Sequence, residues 1–429
     1  MELKPSPDCL AHAGFKQSDI GLIPNDWSLK GLGEIAELDV GLSKPKIVFG
    51  PGCPVVTVQD LYSGSIIDVS GLKQVVVTAD EIKKYRLAKD DILIGNASVK
   101  RDGIGYANRF DGATEDVIFA KYAYRASNLD SVLPLFLHHV LRADFCRQWI
   151  VSNSQTGTLT NLNKSAARAI PITVPSTIEE QRAIATALSD VDALIAGLQR
   201  LIAKKRDIKQ ATMQQLLTGQ TRLPGFIGKW ISKRLGDTAI LKARIGWQGL
   251  TTAEYLSSGD HYLVTGTEFN QGYVDWASCH FVDAARYKQD KYIQLRPRDV
   301  LVTKDGTIGK VALVPDLPGP ATLNSGVFVI RPLNQAFIPE FFYYLLCSQF
   351  FADFLGQLAA GSTINHLYQK DFVSFVYRTP ATHEEQTAIA TVLSDMDADL
   401  SALEARLTKT RAIKQGMMQE LLTGRTRLI

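Results

Sequence analysis

A segment of 45 residues occurs twice in this chain, and it constrains the fold more than any other feature. Residues 179–223 align without a gap on residues 384–428, and 27 of the 45 positions are identical. The sequence that precedes each copy repeats much more faintly. The chain of 429 residues is therefore predicted to be one unit written twice, each unit a variable body followed by a conserved tail.

Both conserved tails are predicted to be long helices. Apolar residues recur at alternating steps of four and three, the spacing of a coiled-coil seam. Each helix should run about 39 residues, or roughly 58 Å, whereas an ordinary globular helix has about 11–12 residues. Gly219 and Gly424 are predicted to lie at the helix C-termini. The seam residues are Ile184, Leu188, Val191, Ile195, Leu198, Ile202, Ile389, Leu393, Met396, Leu400, Leu403 and Leu407.

The two seams are predicted to pair with each other. Lys205 and Thr410 interrupt them, and Ile208 and Ile413 are expected to resume them out of phase. The alternative is that the two helices are core helices of separate domains, but their length argues against it. An antiparallel pair would relate the two bodies by an approximate two-fold axis.

The repeat also explains why the motif LLTGQTRL recurs as LLTGRTRL at the end of the second copy. The first copy, residues 216–223, leads into the second body. The second copy, residues 421–428, would return beside residues 15–27, which lead into the first body. The end of the chain would then lie beside its beginning, so that the fold closes into a ring. The predicted segments are 1–26, which closes this ring, 27–178 for body one, 179–223 for the first helix, 224–380 for body two and 381–429 for the second helix.

The bodies combine short Val/Ile-rich strands and Gly/Asp turns with one helical stretch each, at 133–150 and 338–355. This mixture predicts the α+β class. The expected architecture is two mixed α/β bodies joined by two long antiparallel coiled-coil helices, in a pseudo-two-fold repeat.

The composition indicates the class of protein and its compartment but does not identify a partner. A hydrophobic content of 45% and a charged content of 21% describe a folded protein. We find no secretory signal and no apolar run of the roughly 18 residues that span a bilayer, so a cytoplasmic protein without a membrane partner is expected. Five scattered cysteines favour free thiols over a metal site. The net charge of +3 neither demands nor excludes nucleic acid.

No convincing catalytic or metal-binding set emerges from the sequence. The Asp/Asn-Pro-Pro-aromatic motif and the FxGxG loop of amino-methyltransferases are missing. Residues 306–310, GTIGK, lack the spacing and the Ser/Thr of a phosphate-binding loop, so a hairpin turn is favoured. His138 and His139 are predicted to pack partly against the core rather than to act as ligands.

Two divergent bodies, two matched helices that open on P-x3-EEQ, and the endings LLTGQTRL and LLTGRTRL resemble the specificity subunit of a type I restriction–modification enzyme. The resemblance implies two target-recognition domains, each reading one half of a bipartite asymmetric double-stranded DNA target. It also implies docking of two modification (methyltransferase) subunits and of restriction (endonuclease/translocase) subunits. The complex would have DNA adenine methyltransferase and ATP-dependent endonuclease activities. S-adenosylmethionine, ATP and Mg²⁺ would belong to those partners, with no cofactor and no catalysis in this chain.

DNA binding requires cations for phosphates and Arg, Lys, Asn or Gln for base edges. The strongest candidates are the Lys100-Arg101-Asp102-Gly103 and Lys304-Asp305-Gly306 turns, since both bodies place a cation on what looks like the same turn. A solvated hairpin turn is the alternative for any one of these residues. The full candidate set is Lys44, Lys46, Lys83, Lys84, Arg86, Lys100, Arg101, Asn161, Lys164, Lys242, Arg244, Gln248, Lys304, Lys310, Asn365, His366, Gln369 and Lys370.

Two other classes of protein remain as alternatives. A fused recognition-and-modification enzyme should contain a methyltransferase domain with its cofactor loop, which the sequence does not show. A coiled-coil scaffold that binds only proteins would account for the helices but not for two large, divergent bodies that carry cations.

Overall fold

The computed structural model describes residues 14–44, 49–62, 64, 66–112, 114, 116–246, 249–359 and 366–428. The chain divides into two compact units, Met1–Gln199 with Arg406–Ile429, and Arg200–Ala405. Each unit therefore contains one body and a part of each conserved helix. Within the described ranges no helix is both long and apolar enough to cross a membrane.

The first unit contains fourteen strands among its described residues. They are β1 Phe15–Ser18, β2 Gly21–Pro24, β3 Ser28–Gly31, β4 Glu37–Val40, β5 Phe49–Val56, β6 Lys73–Val75, β7 Ile92–Gly95, β8 Ala97–Ser98, β9 Ala107–Arg109, β10 Ile118–Phe119, β11 Ala123–Ser127, β12 Gln155–Thr156, β13 Thr160–Asn161 and β14 Pro171–Val174. Its helices are α1 Leu32–Ile35, α2 Ala79–Tyr85, α3 Pro134–Leu141, α4 Asp144–Ser152, α5 Lys164–Arg168 and the start of α6 Ile178–Thr218, which continues into the second unit.

The described part of the second unit has the same kinds of elements. Its strands are β15 Trp230–Arg234, β16 Ala239–Ala243, β17 His261–Val264, β18 Phe269–Asn270, β19 Tyr273–Val274, β20 His280–Val282, β21 Val300–Thr303, β22 Val311–Leu313, β23 Ala321–Leu323, β24 Val327–Pro332 and β25 Val376–Pro380. Its helices are α7 Leu235–Thr238, α8 Ala284–Lys288, α9 Pro339–Leu346, α10 Gln349–Leu358, α11 Gln369–Phe372 and the start of α12 His383–Leu421, which continues into the first unit.

The two bodies share a sheet topology. The strand order β4-β11-β7-β9 in the first body corresponds to β16-β24-β21-β22 in the second. A three-stranded sheet accompanies each, β10-β5-β6 and β20-β17-β23, and both contain one parallel and one antiparallel pairing. The faint repeat in the body sequences is therefore a repeat of structure, and the predicted α+β class is confirmed.

The central strand of each body is buried on both faces. Ile92 and Ile94 of β7 pack into the core that contains helices α3 and α4, whereas Leu93 packs into a second apolar cluster. Val300 and Leu301 of β21 divide in the same way between two clusters. Because side chains alternate across a strand, one short apolar strand supports two cores.

Each helical stretch predicted as one helix is in fact two. Helix α3 ends at Leu141 and α4 begins at Asp144, while α9 ends at Leu346 and α10 begins at Gln349. The break arises because Ala143 and Ser348 adopt extended backbone angles as N-cap residues. Proline starts α3 and α9, where its missing N–H costs no hydrogen bond.

The conserved Glu-Glu-Gln motif has a structural explanation. The Gln181 side chain accepts from the backbone N–H of Leu133, just before α3, at 2.9 Å. Gln386 accepts from the N–H of Ile338, just before α9, at 2.8 Å. Both glutamines are buried. Each therefore satisfies an amide that precedes the body helix and so joins the start of a conserved helix to its own body.

The conserved helices have 41 and 39 residues, close to the predicted length. All twelve seam residues are buried or half-buried. Several of them, including Ile184 and Ile389, pack into the cores of the bodies, so pairing along the whole seam stays a prediction. Gly219 and Gly424 both have φ of 71°, the left-handed conformation that suits glycine after a helix.

The expectation for Ile208 and Ile413 is wrong. Their exposed fractions are 46% and 49%, so neither resumes a buried seam. Thr410, expected to interrupt the seam, is buried, and its hydroxyl donates to the carbonyl of Arg406 at 2.8 Å. A threonine can face inward here because its hydroxyl bonds to the preceding turn of the same helix.

Within each unit the two conserved helices run antiparallel and make equivalent ion pairs. Lys414 pairs with Asp192 in the first unit at 2.6 Å. Lys209 pairs with Asp397 in the second unit. These positions differ by the same offset of 205 residues, since 414 − 209 and 397 − 192 both equal 205. The internal repeat therefore extends to individual contacts.

Candidate nucleic-acid interface

The turn that follows the central strand is the feature that the two bodies share most clearly. In body one the N–H of Gly105 donates to the carbonyl of Gly95 at 2.9 Å, and in body two the N–H of Gly309 donates to Thr303, also at 2.9 Å. Gly105 and Gly309 have φ of 70° and 81°, so both positions favour glycine. The turns enclose nine residues (96–104) and five residues (304–308), a difference of four.

The longer turn of body one presents an exposed apolar residue and two cations. Val99 is 83% exposed, and Lys100 and Arg101 are exposed beside it. Arg101–Gly103 forms one turn of 3-10 helix. The Arg147 guanidinium donates to the carbonyl of Asp102 at 2.7 Å, which anchors this helix to the body.

The structure places other predicted DNA-binding residues, Asn161 and Lys164 in body one and His366 in body two, beside the turn that follows the central strand. Strand β8 pairs with β13, so Asn161 lies directly opposite Ala97 at the start of the turn. In body two His366 forms a bridge with Asp305, and the two side chains are hydrogen-bonded. Lys164 follows at the first position of α5, where the Asn163 side chain caps the helix. In each body, the turn and the segment that contains Asn161 or His366 are distant in sequence but form one surface.

The cations of the two turns do not occupy equivalent positions, which corrects the sequence prediction. The N–H of Leu162 donates to Asn96, and the N–H of Leu367 donates to Lys304, so Lys304 stands where body one has Asn96. Lys304 is half-buried, with its ammonium 5.5 Å from the centre of the Phe328 ring. The four extra residues of body one carry Lys100 and Arg101 beyond that position.

Other predicted residues of body one lie near the three-stranded sheet β10-β5-β6 rather than on the turn. Helix α2, which contains Lys83 and Lys84 and ends before Arg86, packs on β10. Lys44 is 2.8 Å from Glu81, and this hydrogen bond holds the pKa of the Glu81 carboxyl below its usual value. Lys44 is thus already neutralised by a neighbour.

Arg244 is buried and cannot contact DNA in this conformation, contrary to the sequence prediction. Only 1% of the residue is exposed. Its guanidinium donates to the carbonyl of Leu323 at 2.9 Å, the hydroxyl of Thr322 at 3.4 Å and the side chain of Gln289 at 3.1 Å. Burial lowers its pKa, but these acceptors satisfy the charged group.

The remaining candidates of body two are exposed. They are Lys242, Lys310, Gln369 and Lys370. The Lys370 ammonium lies 5.6 Å from the centre of the Tyr368 ring, which is 55% exposed. Lys46, Gln248 and Asn365 lie outside the described residues. A cation beside an exposed aromatic ring can contact both a phosphate and a base.

A recess beside the turn of body one was not predicted from the sequence. It has a volume of about 310 Å³ and is lined by Tyr62, Ser98, Lys100, Asp102, Gly103 and Tyr106. The Tyr62 and Tyr106 rings meet edge to face with their centres 5.5 Å apart. Tyr62 lies 36 residues before Ser98, so no local pattern could have joined it to this turn.

No three His, Cys, Asp or Glu side chains among the described residues are placed to hold a metal ion. Cys53, Cys146, Cys279 and Cys347 are free thiols, and burial raises the pKa of the first three. The fifth, Cys9, lies outside the described residues. The exposed turns offer cations, amides and carboxylates, which can bind DNA phosphates and base edges.

Known proteins are similar to this chain over part or most of its length. The putative MjaX specificity subunit of a type I restriction enzyme from Methanocaldococcus jannaschii is 26% identical over 434 residues, covering 96% of this chain and 97% of that protein. The EcoBI specificity subunit from Escherichia coli is 24% identical over 211 residues, covering 46% of this chain and 43% of that protein.

Solved structures show the same fold. The specificity subunit of a type I restriction–modification system from M. genitalium has a TM-score of 0.59 at 15% identity, covering 92% of this chain and 96% of that one. A chain from a structure on the assembly of the type I system has a TM-score of 0.55 at 15% identity, covering 93% and 98%.

A family profile agrees with both comparisons. The profile described as type I restriction modification DNA specificity domain matches residues 24–204 and again residues 230–414. The two matches fall on the two repeats seen in the sequence and together span most of the chain. The chain therefore belongs to the type I restriction–modification DNA specificity family, as a specificity subunit.

Proposed function

We propose that this chain reads a bipartite, asymmetric double-stranded DNA target, one half with each body. The observation that carries the proposal is a shared surface with different side chains. Both bodies present the turn after their central strand beside a second segment. At matching positions body one has Asn96 and Asn161, whereas body two has Lys304 and His366. A common scaffold with different reading groups suits two different half-sequences.

The side chains of this surface divide by chemistry into two roles. Arg101 and Lys310 are exposed cations at the edges of the turns, suited to phosphate oxygens. Asn161 and His366 offer donors and acceptors, suited to base edges. Phosphate contacts position the bodies on DNA, and base contacts select the sequence.

In this proposal the chain performs no chemistry of its own. DNA adenine methylation and ATP-dependent cleavage belong to modification and restriction subunits, which use S-adenosylmethionine, ATP and Mg²⁺. The chain contributes recognition and docking. It would act in the cytoplasm, where DNA and those cofactors are present.

A pair of equivalent recesses supports docking of two modification subunits. The second unit has a recess of about 1030 Å³ between α10 and the conserved helices, and the first has one of about 240 Å³ beside α4. Gln210, Met213 and Phe350 line the former, and Gln415, Met418 and Phe145 line the latter at equivalent positions. The same three side chains at equivalent positions of two units suit a partner bound in two copies. Restriction subunits would join that complex.

Methylation mapping tests the proposal directly. Cells that carry this chain with its modification and restriction partners should show adenine methylation at one motif made of two different half-sequences and a fixed gap. Asn161→Ala should relax only one half-sequence, and His366→Ala only the other. A continuous or palindromic motif, or both variants relaxing the same half, would contradict reading by two bodies.

A DNA-binding titration separates this function from that of a protein-only scaffold. With the partner-bound complex, log affinity for a duplex that contains the mapped motif should fall linearly with log salt concentration, as phosphate neutralisation requires. A scaffold that binds only proteins would leave the affinity of its partners for DNA unchanged when it is added.

A further inference from the structure

The recess beside the turn of body one combines aromatic walls with polar groups. The Tyr62 hydroxyl donates to the Ser98 hydroxyl oxygen at 2.9 Å, which fixes the ring against the turn. The Arg147 guanidinium lies 4.7 Å from the centre of the Tyr106 ring on the body side. Tyr62 remains 42% exposed. The Tyr106 ring is therefore covered on one side by Arg147, while the Tyr62 ring is open to an incoming group.

The polar groups of the recess form a specific set. Since Ser98 accepts from Tyr62, its own hydroxyl hydrogen is able to donate. Lys100 supplies a second donor, and the Asp102 carboxylate is an acceptor. The Watson–Crick edge of thymine presents two carbonyl oxygens and one N–H, so two donors and one acceptor complement it. Cytosine and adenine expose an amino group and a ring nitrogen acceptor, which this set matches less well.

Gly103 gives the recess its depth. A Cβ atom on Gly103 would lie 2.6 Å from the Ser98 hydroxyl oxygen and 3.2 Å from the Tyr62 ring. No positive φ requires glycine there, so the close approach of Ser98 and Tyr62 is the reason that glycine fits. A side chain at this position would fill the floor of the recess.

We infer that this recess receives an unstacked thymine whose partner adenine has been extruded for modification. A base modified within a duplex must leave the stack, which leaves its partner unpaired. Tyrosine rings can stack on such a base whatever its sequence context. The inference rests on the proposed function, because it requires that the partner-bound complex methylate adenine in the half-sequence read by body one.

The inference also predicts a difference between the two half-sequences. The turn of body two is four residues shorter, and Lys304 occupies the position of Asn96. Residues 304–308 therefore contain no counterpart of the segment from Val99 to Asp102. The thymine opposite the target adenine should be sheltered in body one's half-sequence. In the half-sequence read by body two, the shorter turn should not shelter it.

Permanganate oxidation of unstacked thymines tests the inference in the intact complex on its mapped target. In the wild-type complex the thymine opposite the target adenine in body one's half-sequence should be protected. Tyr62→Ala should raise its reactivity on the order of tenfold, and Gly103→Ala should raise it as well. Tyr62→Phe keeps the ring and should preserve most of the protection.

The controls separate a failure of this inference from a failure of the proposed function. Tyr292→Ala removes an exposed tyrosine of body two and should leave reactivity in body one's half-sequence unchanged. DNA binding and methylation with equal thymine reactivity in wild type and Tyr62→Ala would overturn the recess inference and leave the proposed function standing. A wild-type complex that neither binds nor methylates DNA would overturn both.

Discussion

The side chain of Arg427 donates two hydrogen bonds to the carboxylate of Glu180, 247 residues earlier in the chain. It also contacts Asp26 at 3.0 and 3.1 Å, while the Trp27 indole donates to Glu180 at 3.1 Å. The second repeat makes the equivalent pair, in which Arg222 donates to Glu385 at 2.5 and 2.7 Å. The repeated phrase Thr-Gly-x-Thr-Arg-Leu thus supplies an arginine for a buried glutamate in each unit.

Loss of either arginine should destabilise the unit that contains it. Glu180 and Glu385 have side-chain exposures of 1% and 4%, so removing the partner leaves a buried carboxylate undersatisfied. We expect Arg427→Met and Arg222→Met each to lower the free energy of unfolding by about 1–3 kcal/mol. Urea denaturation of the full chain, followed by fluorescence and circular dichroism, measures the change.

A neighbouring arginine supplies the matched control. Arg425 is 51% exposed and 4.0 Å from Glu420, so Arg425→Met should change the free energy of unfolding by less than about 0.5 kcal/mol. Equal effects of Arg425→Met and Arg427→Met would show that the contacts to Glu180 and Asp26 contribute nothing.

His138 and His139 make the first unit sensitive to acid. Burial lowers the pKa of His139 to about 4 and that of His138 well below its usual value. Arg142 and Lys414 nearby lower both further, while Asp192 partly opposes them at His139. In the unfolded chain each histidine has a pKa of about 6.5. Protonation therefore favours unfolding, and the stability present above pH 6.5 falls as the pH drops toward 4.

His138→Leu should remove its share of this acid sensitivity. Neither ring nitrogen of His138 has a hydrogen-bond partner among the described residues, so the change loses no bond to them. Below pH 6.5 the wild type should lose up to about 1.36 kcal/mol per pH unit more than the variant. Urea unfolding at pH 7 and pH 5 measures this difference, and parallel pH dependence of the two proteins would refute it.

Arg244 and Lys242 lie two residues apart, but only the substitution of Arg244 should destabilise the protein. Arg244→Met would leave the Leu323 carbonyl and the Thr322 hydroxyl without their buried donor, so we expect a loss of about 1–3 kcal/mol in the free energy of unfolding. Lys242→Met removes an exposed ammonium and should change it by less than about 0.5 kcal/mol. Thermal denaturation of both variants decides whether Arg244 is structural.

The parts of the fold that follow from local patterns could be predicted from the sequence. Heptad spacing and terminal glycines predicted helices that the structure shows at Ile178–Thr218 and His383–Leu421. The strands β7 and β21 follow from short apolar runs before a glycine-containing turn. In these segments the sequence spacing itself sets the conformation.

The parts that depend on distant contacts could not be predicted. Arg244 looks like a surface cation until β16 places it against Leu323, 79 residues later. Ile208 looks like a seam residue until the helix geometry leaves it exposed. Lys100 and Lys304 look equivalent until the hydrogen bonds of Leu162 and Leu367 show that the turns differ in length. Each of these depends on tertiary packing, which overrides the local pattern.

The exposed cations of the two turns should contribute separately to DNA affinity. Arg101→Gln and Lys310→Gln each remove one charge expected to face a phosphate. Each should therefore lower the magnitude of the slope of log affinity against log salt by about 0.9 and leave the methylated motif unchanged. Lys44→Gln removes a cation already bonded to Glu81 and should leave the slope unaltered. Filter binding of the partner-bound complex to the mapped duplex over a range of salt concentrations measures all three slopes. If Lys44→Gln lowered the slope as much as Arg101→Gln, the phosphate-binding surface would extend to Lys44 and would not be confined to the turn.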